Sequence, residues 1–280
     1  MRYRRIGDVK VSAIGLGCMP LSIPGRPDRE QAIAVVHAAL DAGITFFDTA
    51  DACTSADPGH NETLLAEALG AHDVLIATKG GLSYRAGGPW DRHGSPEYLA
   101  AAARASAARL GVESIGLYQF HRPDPTVPYE ESIGALRELL DDGIIRLVGI
   151  SNATIEQIQI ADRVLGGRLA SVQNQFSPSY RASEAELDFC AEHEIAFLPW
   201  SPLGGISSAS ALTPGLAPFA RVAEAHGVTP QQVTLAWMLA KSPVVVPIPG
   251  SSRPETARAS AEAATLRLSP DEVAALDATD

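Results

Sequence analysis

Short apolar runs recur along this 280-residue chain, and segments with helical periodicity separate them. Each run has four to six residues, which is too short for a helix and typical of a buried parallel strand. The runs are residues 13–16, 44–47, 74–78, 115–120, 145–150, 171–175, 196–199 and 244–248. A strand and a helix repeated about eight times predict an α/β fold of the (β/α)8 TIM barrel type.

The residues before the first run predict a short β-hairpin. Within residues 3–12, apolar and polar positions alternate on both sides of Gly7 and Asp8, which form the predicted turn. The alternative fold is a doubly wound sheet, which normally carries a glycine-rich dinucleotide turn after its first strand. Residues 15–20 lack the third glycine of that turn. No linker or shift in composition interrupts the chain, so we expect one barrel domain over residues 1–280.

The helical segments carry start signals of two kinds. Ser or Asp followed three residues later by Gln or Glu is typical of a capping box. The candidate boxes are Asp28–Gln31, Ser252–Glu255 and Ser269–Glu272. A cap followed by a first-turn proline is predicted at Ser95-Pro96, Thr229-Pro230 and Ser269-Pro270.

Composition narrows the class of partner. A formal net charge of −11 argues against nucleic acid or an anionic membrane as the main partner. No apolar run approaches the length of a membrane span, and residues 1–5 are not followed by the apolar stretch of a signal peptide. An odd number of cysteines, three, favours a reducing compartment. We expect a cytoplasmic protein that acts on a small molecule and has no metal site; the sequence does not give its oligomeric state.

Polar residues follow the apolar runs, at the end of a barrel where active sites lie. Asp48 directly follows the run 44–47, and a buried carboxylate is costly unless a cation pairs with it. Lys79 follows the next run and supplies that cation. The polar residues at or just after the ends of the later runs are His121, Ser151, Asn152, Gln173, Trp200, Ser201 and the segment 249–253. Together they predict a site built from several strand ends.

These residues lie in segments that resemble the aldo-keto reductase family over nearly the whole chain. The segments are residues 47–51 (Phe-Asp-Thr-Ala-Asp), 77–80 (Ala-Thr-Lys-Gly), 117–124 (Leu-Tyr-Gln-Phe-His-Arg-Pro-Asp), 149–152 (Gly-Ile-Ser-Asn), 200–204 (Trp-Ser-Pro-Leu-Gly) and 248–253 (Ile-Pro-Gly-Ser-Ser-Arg). The resemblance implies a (β/α)8 barrel that moves a hydride between NADPH and a carbonyl or alcohol.

The resemblance also implies a catalytic tetrad of Asp, Tyr, Lys and His, and this chain departs from it. Asp48, Lys79 and His121 match three members, but Cys53 stands five residues beyond the aspartate, where the tyrosine is expected. In the family, the tyrosine protonates the substrate oxygen, the lysine favours the phenolate, the aspartate holds the lysine, and the histidine hydrogen-bonds the substrate oxygen. A thiol is shorter than a phenol and is a weak hydrogen-bond donor.

Several interpretations of Cys53 remain open. Water, His121 or the substrate itself could serve as the acid in a retuned site, or the site could have lost activity. Cys53 could instead be a nucleophile, since the nearby Lys79 would lower its pKa. Tyr84, in the loop after Lys79, could bring in a replacement phenol or form a wall of the substrate pocket. Trp90, in the same loop, is predicted to be a substrate-pocket aromatic residue.

The resemblance implies cofactor contacts at the remaining strand ends. Ser151, Asn152 and Gln173 would hold the nicotinamide carboxamide, and Trp200 would stack on the nicotinamide ring. Ser201, Leu203 and Gly204 would line the pyrophosphate, and Gly17 and Met19 would border the ribose. Gly250, Ser251, Ser252 and Arg253 open a helix, whose free N–H groups favour a phosphate. Arg253 beside two serines favours NADPH over NADH. Thr256 and Ser260 occupy the adenine end, where relatives often carry other residues.

Three functions follow as hypotheses. The first is an NADPH-dependent oxidoreductase that reduces a small-molecule carbonyl, or a related C=N or C=C bond. The second is an NADPH-binding regulatory protein without useful turnover, and the third is a non-redox lyase or dehydratase. Asp48, Lys79 and His121 favour the first, since a protein that only binds the cofactor has less need of all three.

Overall fold

The computed structural model describes residues 1–54, 58–84, 90–205 and 217–279, with only the backbone of Tyr84. Its strands are β1 (Tyr3–Ile6), β2 (Val9–Ser12), β3 (Leu16–Gly17), β4 (Phe46–Asp48), β5 (Leu75–Gly80), β6 (Leu82–Tyr84), β7 (Trp90–Arg92), β8 (Ile115–Phe120), β9 (Ile145–Ser151), β10 (Leu169–Gln173) and β11 (Ala196–Phe197). Its α-helices are α1 (Arg29–Asp41), α2 (His60–Leu69), α3 (Pro96–Leu110), α4 (Tyr129–Asp141), α5 (Ile155–Leu165), α6 (Glu184–Glu192), α7 (Ala217–His226), α8 (Pro230–Lys241), α9 (Pro254–Glu262) and α10 (Pro270–Asp277).

Parallel strands form one curled sheet in the order β11-β10-β9-β8-β5-β4-β3. The eighth predicted run, residues 244–248, closes it without forming a continuous strand. Val245 forms a parallel bridge to Phe197 of β11, and Gly250 forms one to Gly17 of β3. Pro247 lacks the N–H that a regular ladder requires, so the closing segment pairs only at separate points. The predicted (β/α)8 barrel is confirmed, with strand ends that differ from the predicted runs by a few residues.

The predicted hairpin is also confirmed. β1 and β2 pair antiparallel, with Ile6 opposite Val9 and Gly7 at a φ of 56° in the turn. Ile6 and Val11 are fully buried and belong to the same apolar cluster as Phe46 and Leu117 of the barrel strands. The hairpin therefore covers the barrel interior, and larger apolar clusters fill the layer between the strands and the helices.

The start signals are confirmed at most of the helices. Ser95 accepts a hydrogen bond from Tyr98 N, and complete capping boxes form at Thr229 and Ser269. Asp28 caps α1, but the Gln31 side chain donates to Ser252 O instead of returning to the cap.

The capping box predicted at Ser252 and Glu255 is wrong. α9 begins at Pro254 with Arg253 as its N-cap residue, and no side chain among the described residues caps it. Ser251 Oγ accepts from Arg253 N at 3.3 Å, so the serine before Ser252 bonds locally in this turn.

Within the residues that the structure describes, no helix is both long enough and apolar enough to cross a bilayer.

Candidate active site

An ion pair joins the ends of two neighbouring strands. Lys79 Nζ, at the end of β5, lies 2.7 Å from Asp48 Oδ2 at the end of β4, and both side chains are less than a tenth exposed. The ammonium also donates to the carbonyl oxygen of Thr49 at 2.7 Å. Burial strengthens the attraction between the two charges and makes any loss of one partner costly. The ion pair predicted from the sequence is present.

Two glutamine side chains complete the surroundings of Asp48. Gln173 Nε2 donates to Asp48 Oδ1 at 2.8 Å, and Gln119 Nε2 donates to the same oxygen at 3.3 Å. Ser171 Oγ in turn donates to Gln119 Oε1 at 3.4 Å. These donors satisfy a buried carboxylate that desolvation would otherwise penalise. Sequence analysis did not single out Gln119, although a glutamine within an otherwise apolar strand was an available signal.

The residues predicted to hold the nicotinamide carboxamide lie together. Ser151 Oγ donates to Gln173 O at 2.7 Å, and Asn152 Nδ2 donates to both Ser151 Oγ and His121 O at 3.0 Å. Asn152 has a φ of 58°, in the left-handed region that asparagine tolerates better than most residues. Gln173 also bonds Asp48 from the same position, so this cluster is continuous with the ion pair.

His121 is a neutral base in this site. Burial, together with the positive charges of Lys79 and Arg122, lowers its pKa well below the usual value. Its Nδ1 atom is buried and has no hydrogen-bond partner within the described residues. A neutral imidazole can accept or donate one hydrogen bond to a ligand, but it carries no excess proton to give away at neutral pH.

Cys53 is buried, and burial is the main cause that raises the pKa of its thiol to about 12. The negative charges of Asp48, Asp51 and Glu62 add to that effect and oppose the lowering by Lys79. The thiol therefore stays protonated at neutral pH. This argues against the interpretation of Cys53 as a nucleophile, since the thiolate is the reactive form.

The two predicted pocket aromatics lie on a hairpin after β5. Strands β6 and β7 pair antiparallel with Tyr84 opposite Trp90. Trp90 is half exposed. The Tyr84 side chain and residues 85–89 lie outside the described residues, so its prediction as acid or pocket wall stays a prediction.

Trp200 contributes an indole N–H to the site. Its Nε1 atom is buried without a hydrogen-bond partner in the described part of the chain, while its backbone N bonds Asn174 O at 3.0 Å. Ser201 follows with a φ of 49°, and Gly204 N bonds Ser201 O at 3.0 Å. The side chain of Leu203 packs beside a small apolar cluster that includes Leu235. Residues 206–216 lie outside the described residues.

Two positions at the barrel closure, Gly17 and Gly250, require glycine because other parts of the chain pack closely against them. A Cβ on Gly17 would lie 2.7 Å from Ile248 O, and one on Gly250 would lie 2.8 Å from Pro20 Cγ. Met19, predicted to border the ribose, is 41% exposed at this edge. The two glycines therefore let the chain at the barrel closure pack closely on itself, with the exposed Met19 side chain nearby.

The start of α9 presents a mixed polar surface. Ser252 and Arg253 are exposed, and Arg253 Nε lies 3.6 Å from Glu255 Oε1. Ser251 is buried and bonds the Thr256 hydroxyl and Arg253 O. Ser260 lies further along the helix and is partly exposed. The exposed arginine is able to turn toward a phosphate, because a surface ion pair at this distance contributes little.

Comparison with known proteins identifies relatives over the whole barrel. A sequence model described as "Aldo/keto reductase family" matches residues 13–280. The chain is 36% identical over 278 residues to an uncharacterized oxidoreductase of Schizosaccharomyces pombe, covering 98% of this chain and 88% of that protein. It superposes on the thermostable aldo-keto reductase Tm1743, solved with the inhibitor epalrestat, with a TM-score of 0.86, 26% identity and 100% coverage of both chains. An aldo-keto reductase of Klebsiella pneumoniae, solved with NADPH, superposes with a TM-score of 0.83 and 28% identity over 99% of this chain and 94% of that one.

Proposed function

Because the chain belongs to the aldo/keto reductase family, we propose that it is an NADPH-dependent oxidoreductase with an altered active site. Its substrate is a small molecule with a carbonyl, or a related C=N or C=C bond. The observation that carries this proposal is the buried ion pair between Asp48 and Lys79, whose charged atoms lie 2.7 Å apart. Gln119 and Gln173 donate hydrogen bonds to Asp48. A protein that only bound the cofactor would gain nothing from desolvating these two charges.

The residues of the site fit NADPH. Trp200 offers a buried Nε1 donor that lacks a partner in the described part of the chain, and the side chain of Met19 is exposed near the barrel closure. Exposed Ser252 and Arg253 suit the 2′-phosphate. Solved relatives from Klebsiella pneumoniae contain NADP or NADPH. When bound, the nicotinamide supplies the hydride.

The chain's own residues would handle the charge that develops on the substrate. Lys79, held in position by its bond to Asp48, would place a positive charge where the substrate oxygen becomes negative. The neutral imidazole of His121 can donate one hydrogen bond to the same oxygen. Both act in a buried setting, where such interactions are stronger than in water. The side chain of Cys53 is shorter than that of a tyrosine, and we infer that the substrate or water takes up the difference in volume.

A second candidate function is NADPH binding without turnover. The observation that favours it is the thiol of Cys53, whose pKa of about 12 and short reach leave it unable to replace a phenol. A regulatory protein needs the cofactor surface but not the proton donor.

Two measurements test the function. Fluorescence titration of the wild type with NADPH and NADH is expected to show tighter binding of NADPH. Single-turnover oxidation of bound NADPH, followed by absorbance with a panel of aldehydes, imines and enones, is expected to occur with at least one class. Tight NADPH binding without oxidation by any member would favour the non-catalytic function.

The preference for NADPH over NADH is tested by replacing Arg253. We expect Arg253→Ala to weaken NADPH binding by about tenfold or more, because a charge-assisted hydrogen bond to a phosphate is lost, and to leave NADH binding nearly unchanged. Arg104→Ala is the matched control, since Arg104 is another exposed arginine in a loose ion pair, 3.8 Å from Asp142. Equal losses for both cofactors in Arg253→Ala would refute the phosphate assignment.

A further inference from the structure

A partly exposed arginine lies at the edge of the barrel that carries Lys79 and His121. Arg122 directly follows His121 at the end of β8. Its NH2 group donates to Asn152 Oδ1, at the end of β9, at 3.3 Å. Asn152 Nδ2 in turn donates to His121 O at 3.0 Å. The guanidinium of Arg122 therefore lies at the ends of β8 and β9, next to the cluster predicted to hold the nicotinamide carboxamide.

Arg92, at the end of β7, brings a second guanidinium to the same segment. Arg92 NH1 donates to Pro123 O at 3.1 Å, which ties the β6–β7 hairpin to the residue after Arg122. A Cβ on Gly94 would lie 2.7 Å from Asp124 Cβ, so the chain that follows the hairpin also packs closely here. Burial, and then the charge of Arg92, lowers the pKa of Arg122, so the two guanidinium groups are close enough to repel each other.

The carboxylates nearest in sequence do not neutralise this pair of arginines. Asp124 Oδ2 accepts from Gly94 N at 2.8 Å, and its Oδ1 accepts from both the N and the Oγ1 of Thr126. Asp91 precedes Arg92 within β7, and successive side chains of a strand point to opposite faces. Within the residues that the structure describes, both guanidinium groups bond to uncharged oxygens and neither forms an ion pair.

A cation in the position of Arg122 is unfavourable until an anion binds beside it. Burial removes water from its charge, and the charge of Arg92 adds repulsion. A carboxylate or phosphate group next to the two guanidiniums would oppose both effects. An arginine presents several N–H donors in a planar fork that fits the oxygens of such a group. The chain as a whole has a formal net charge of −11, so this local pair of positive charges, and not bulk attraction, would recruit the anion.

We propose that Arg122, with Arg92 beside it, binds a negatively charged group of the substrate, and that the substrate is a small carbonyl compound that carries a carboxylate or a phosphate. This inference rests on the proposed function and names the substrate class of the same site. His121 is expected to hydrogen-bond the reacting oxygen, and Arg122 is the next residue in the chain. The charged group would therefore lie between the end of β8 and the β6–β7 hairpin, while half-exposed Trp90 covers the apolar part of the substrate.

Pairs of aldehydes that differ chiefly in charge test this proposal. The pairs are succinate semialdehyde with butanal, and glycolaldehyde phosphate with glycolaldehyde. In the wild type, kcat/KM for NADPH oxidation should be about tenfold or more higher for the charged member of at least one pair, because charge-assisted hydrogen bonds are gained. The pair that shows the preference distinguishes a carboxylate substrate from a phosphate substrate.

Replacing Arg122 should remove this preference. Arg122→Gln should lower kcat/KM for the preferred charged aldehyde by at least about tenfold more than for its uncharged partner, and chiefly through KM, because the charged group does not react. Arg122→Lys should keep part of the preference, since it keeps the charge without the planar fork. Arg92→Gln should reduce the preference less, because Arg92 is the more exposed of the two. The matched control is Arg137→Gln, which changes an exposed arginine of α4 and should behave as the wild type.

A second readout needs no turnover. Succinate and phosphoglycolate are the acid analogues of the charged aldehydes, and butanoate and glycolate are those of the uncharged ones. Their binding in the presence of NADP⁺ can be followed by tryptophan fluorescence, since Trp90 and Trp200 are predicted to lie at the site. The analogue of the preferred aldehyde should bind the wild type about tenfold or more tighter than it binds Arg122→Gln. Butanoate and glycolate should show a smaller difference between the two proteins.

The outcomes separate this inference from the proposed function. A charge preference in the wild type that Arg122→Gln removes, with NADPH affinity kept, supports the anion site. Equal kcat/KM for both members of each pair in the wild type overturns it and leaves the proposed function intact. Arg122→Gln that weakens NADPH binding and slows both members equally also overturns it, since Arg122 would then act on Asn152 and the cofactor. If the wild type reduces no aldehyde, the proposed function fails, and equal binding of succinate and phosphoglycolate to wild type and Arg122→Gln overturns the anion site as well.

Discussion

At the scale of single residues, the proposed chemistry depends on Cys53. It lies within a loop whose neighbours Asp48 and Lys79 are paired at 2.7 Å, so the setting that would activate a phenol is present without the phenol. A buried thiol with a pKa of about 12 gives neither the reach nor the proton. We therefore expect the charges of Asp48 and Lys79 to act on the substrate, or on a water molecule, beside Cys53.

We expect Cys53→Tyr to increase reduction of simple aldehydes by about 10²-fold or more, the usual contribution of a positioned acid. A phenol at this position regains reach and the help of Lys79, while the native reaction loses the volume that its substrate or water occupies. Steady-state NADPH oxidation with short aldehydes measures the gain. The matched control is Cys53→Phe, which adds the ring without the hydroxyl and should give no gain. A Cys53→Tyr protein that folds and binds NADPH yet reduces no aldehyde would favour the non-catalytic function.

At the scale of elements, α2 and α3 hold the loop after β4 in place. Arg109 of α3 lies against Gly59, the N-cap residue of α2, and also bonds buried Glu62. Gly59 has a φ of 76°, which a residue with a Cβ adopts only with strain. The position of Asp51 and Cys53 thus depends on contacts between two helices and not on the loop alone.

Gly59→Ala is expected to destabilise the protein by more than Gly111→Ala. Both glycines have positive φ, but a Cβ on Gly111 meets nothing within 4 Å in the described part of the chain, whereas one on Gly59 forces Arg109 away from Glu62. Gly111→Ala should cost about 1 kcal/mol from backbone strain alone. Gly59→Ala should cost about 3 kcal/mol or more, because Glu62 loses its buried partner. Urea unfolding of both variants measures the difference, and equal costs would contradict the role of the Arg109–Glu62 contact.

At the scale of the whole molecule, the last helix ties distant parts of the barrel's outer layer together. Asp277 of α10 accepts from Trp237 Nε1 at 2.8 Å and from Lys241 Nζ at 3.0 Å, both on α8. Lys241 also pairs with Glu184 of α6 at 2.5 Å. Arg181 donates to the carbonyl oxygens of Leu276 and Asp277. These contacts lie far from the Asp48–Lys79 pair in sequence and join three helices.

We expect Asp277→Ala to lower the free energy of unfolding by about 1–3 kcal/mol, because buried Trp237 loses its acceptor and Lys241 loses one of its carboxylates. Affinity for NADPH should be unchanged, since the side-chain partners of Asp277 named above are not predicted cofactor residues. Thermal unfolding and cofactor titration measure both. The control is Asp271→Ala, which removes an exposed carboxylate from the first turn of the same helix and should cost much less. A large loss of NADPH affinity in Asp277→Ala would contradict a purely structural role.

Sequence patterns were sufficient to predict the features that depend on the order of residues along one strand or one helical turn. The apolar runs predict the barrel because a strand buried on both faces must be apolar along its length, whatever its partners are. Asp48 and Lys79 could be paired from the sequence because neighbouring parallel strands end at the same edge of the barrel. The capping signals at Ser95, Thr229 and Ser269 were correct for a similar reason, since each acts within one helical turn.

Only the tertiary structure decided which charges share a partner and how far each is buried. Arg109 bonds Glu62 from 47 positions away, and Asp51 Oδ1 is left without a partner among the described residues. Gln173 reaches Asp48 across 125 positions, and the box predicted at Ser252 failed because Arg253 is the N-cap residue of α9. A pKa depends on desolvation and on charges brought close by folding, and neither can be read from the order of residues. For this reason the raised pKa values of Cys53 and Asp51 could be known only from the tertiary structure. The barrel and its ion pair, by contrast, could be predicted from the sequence alone.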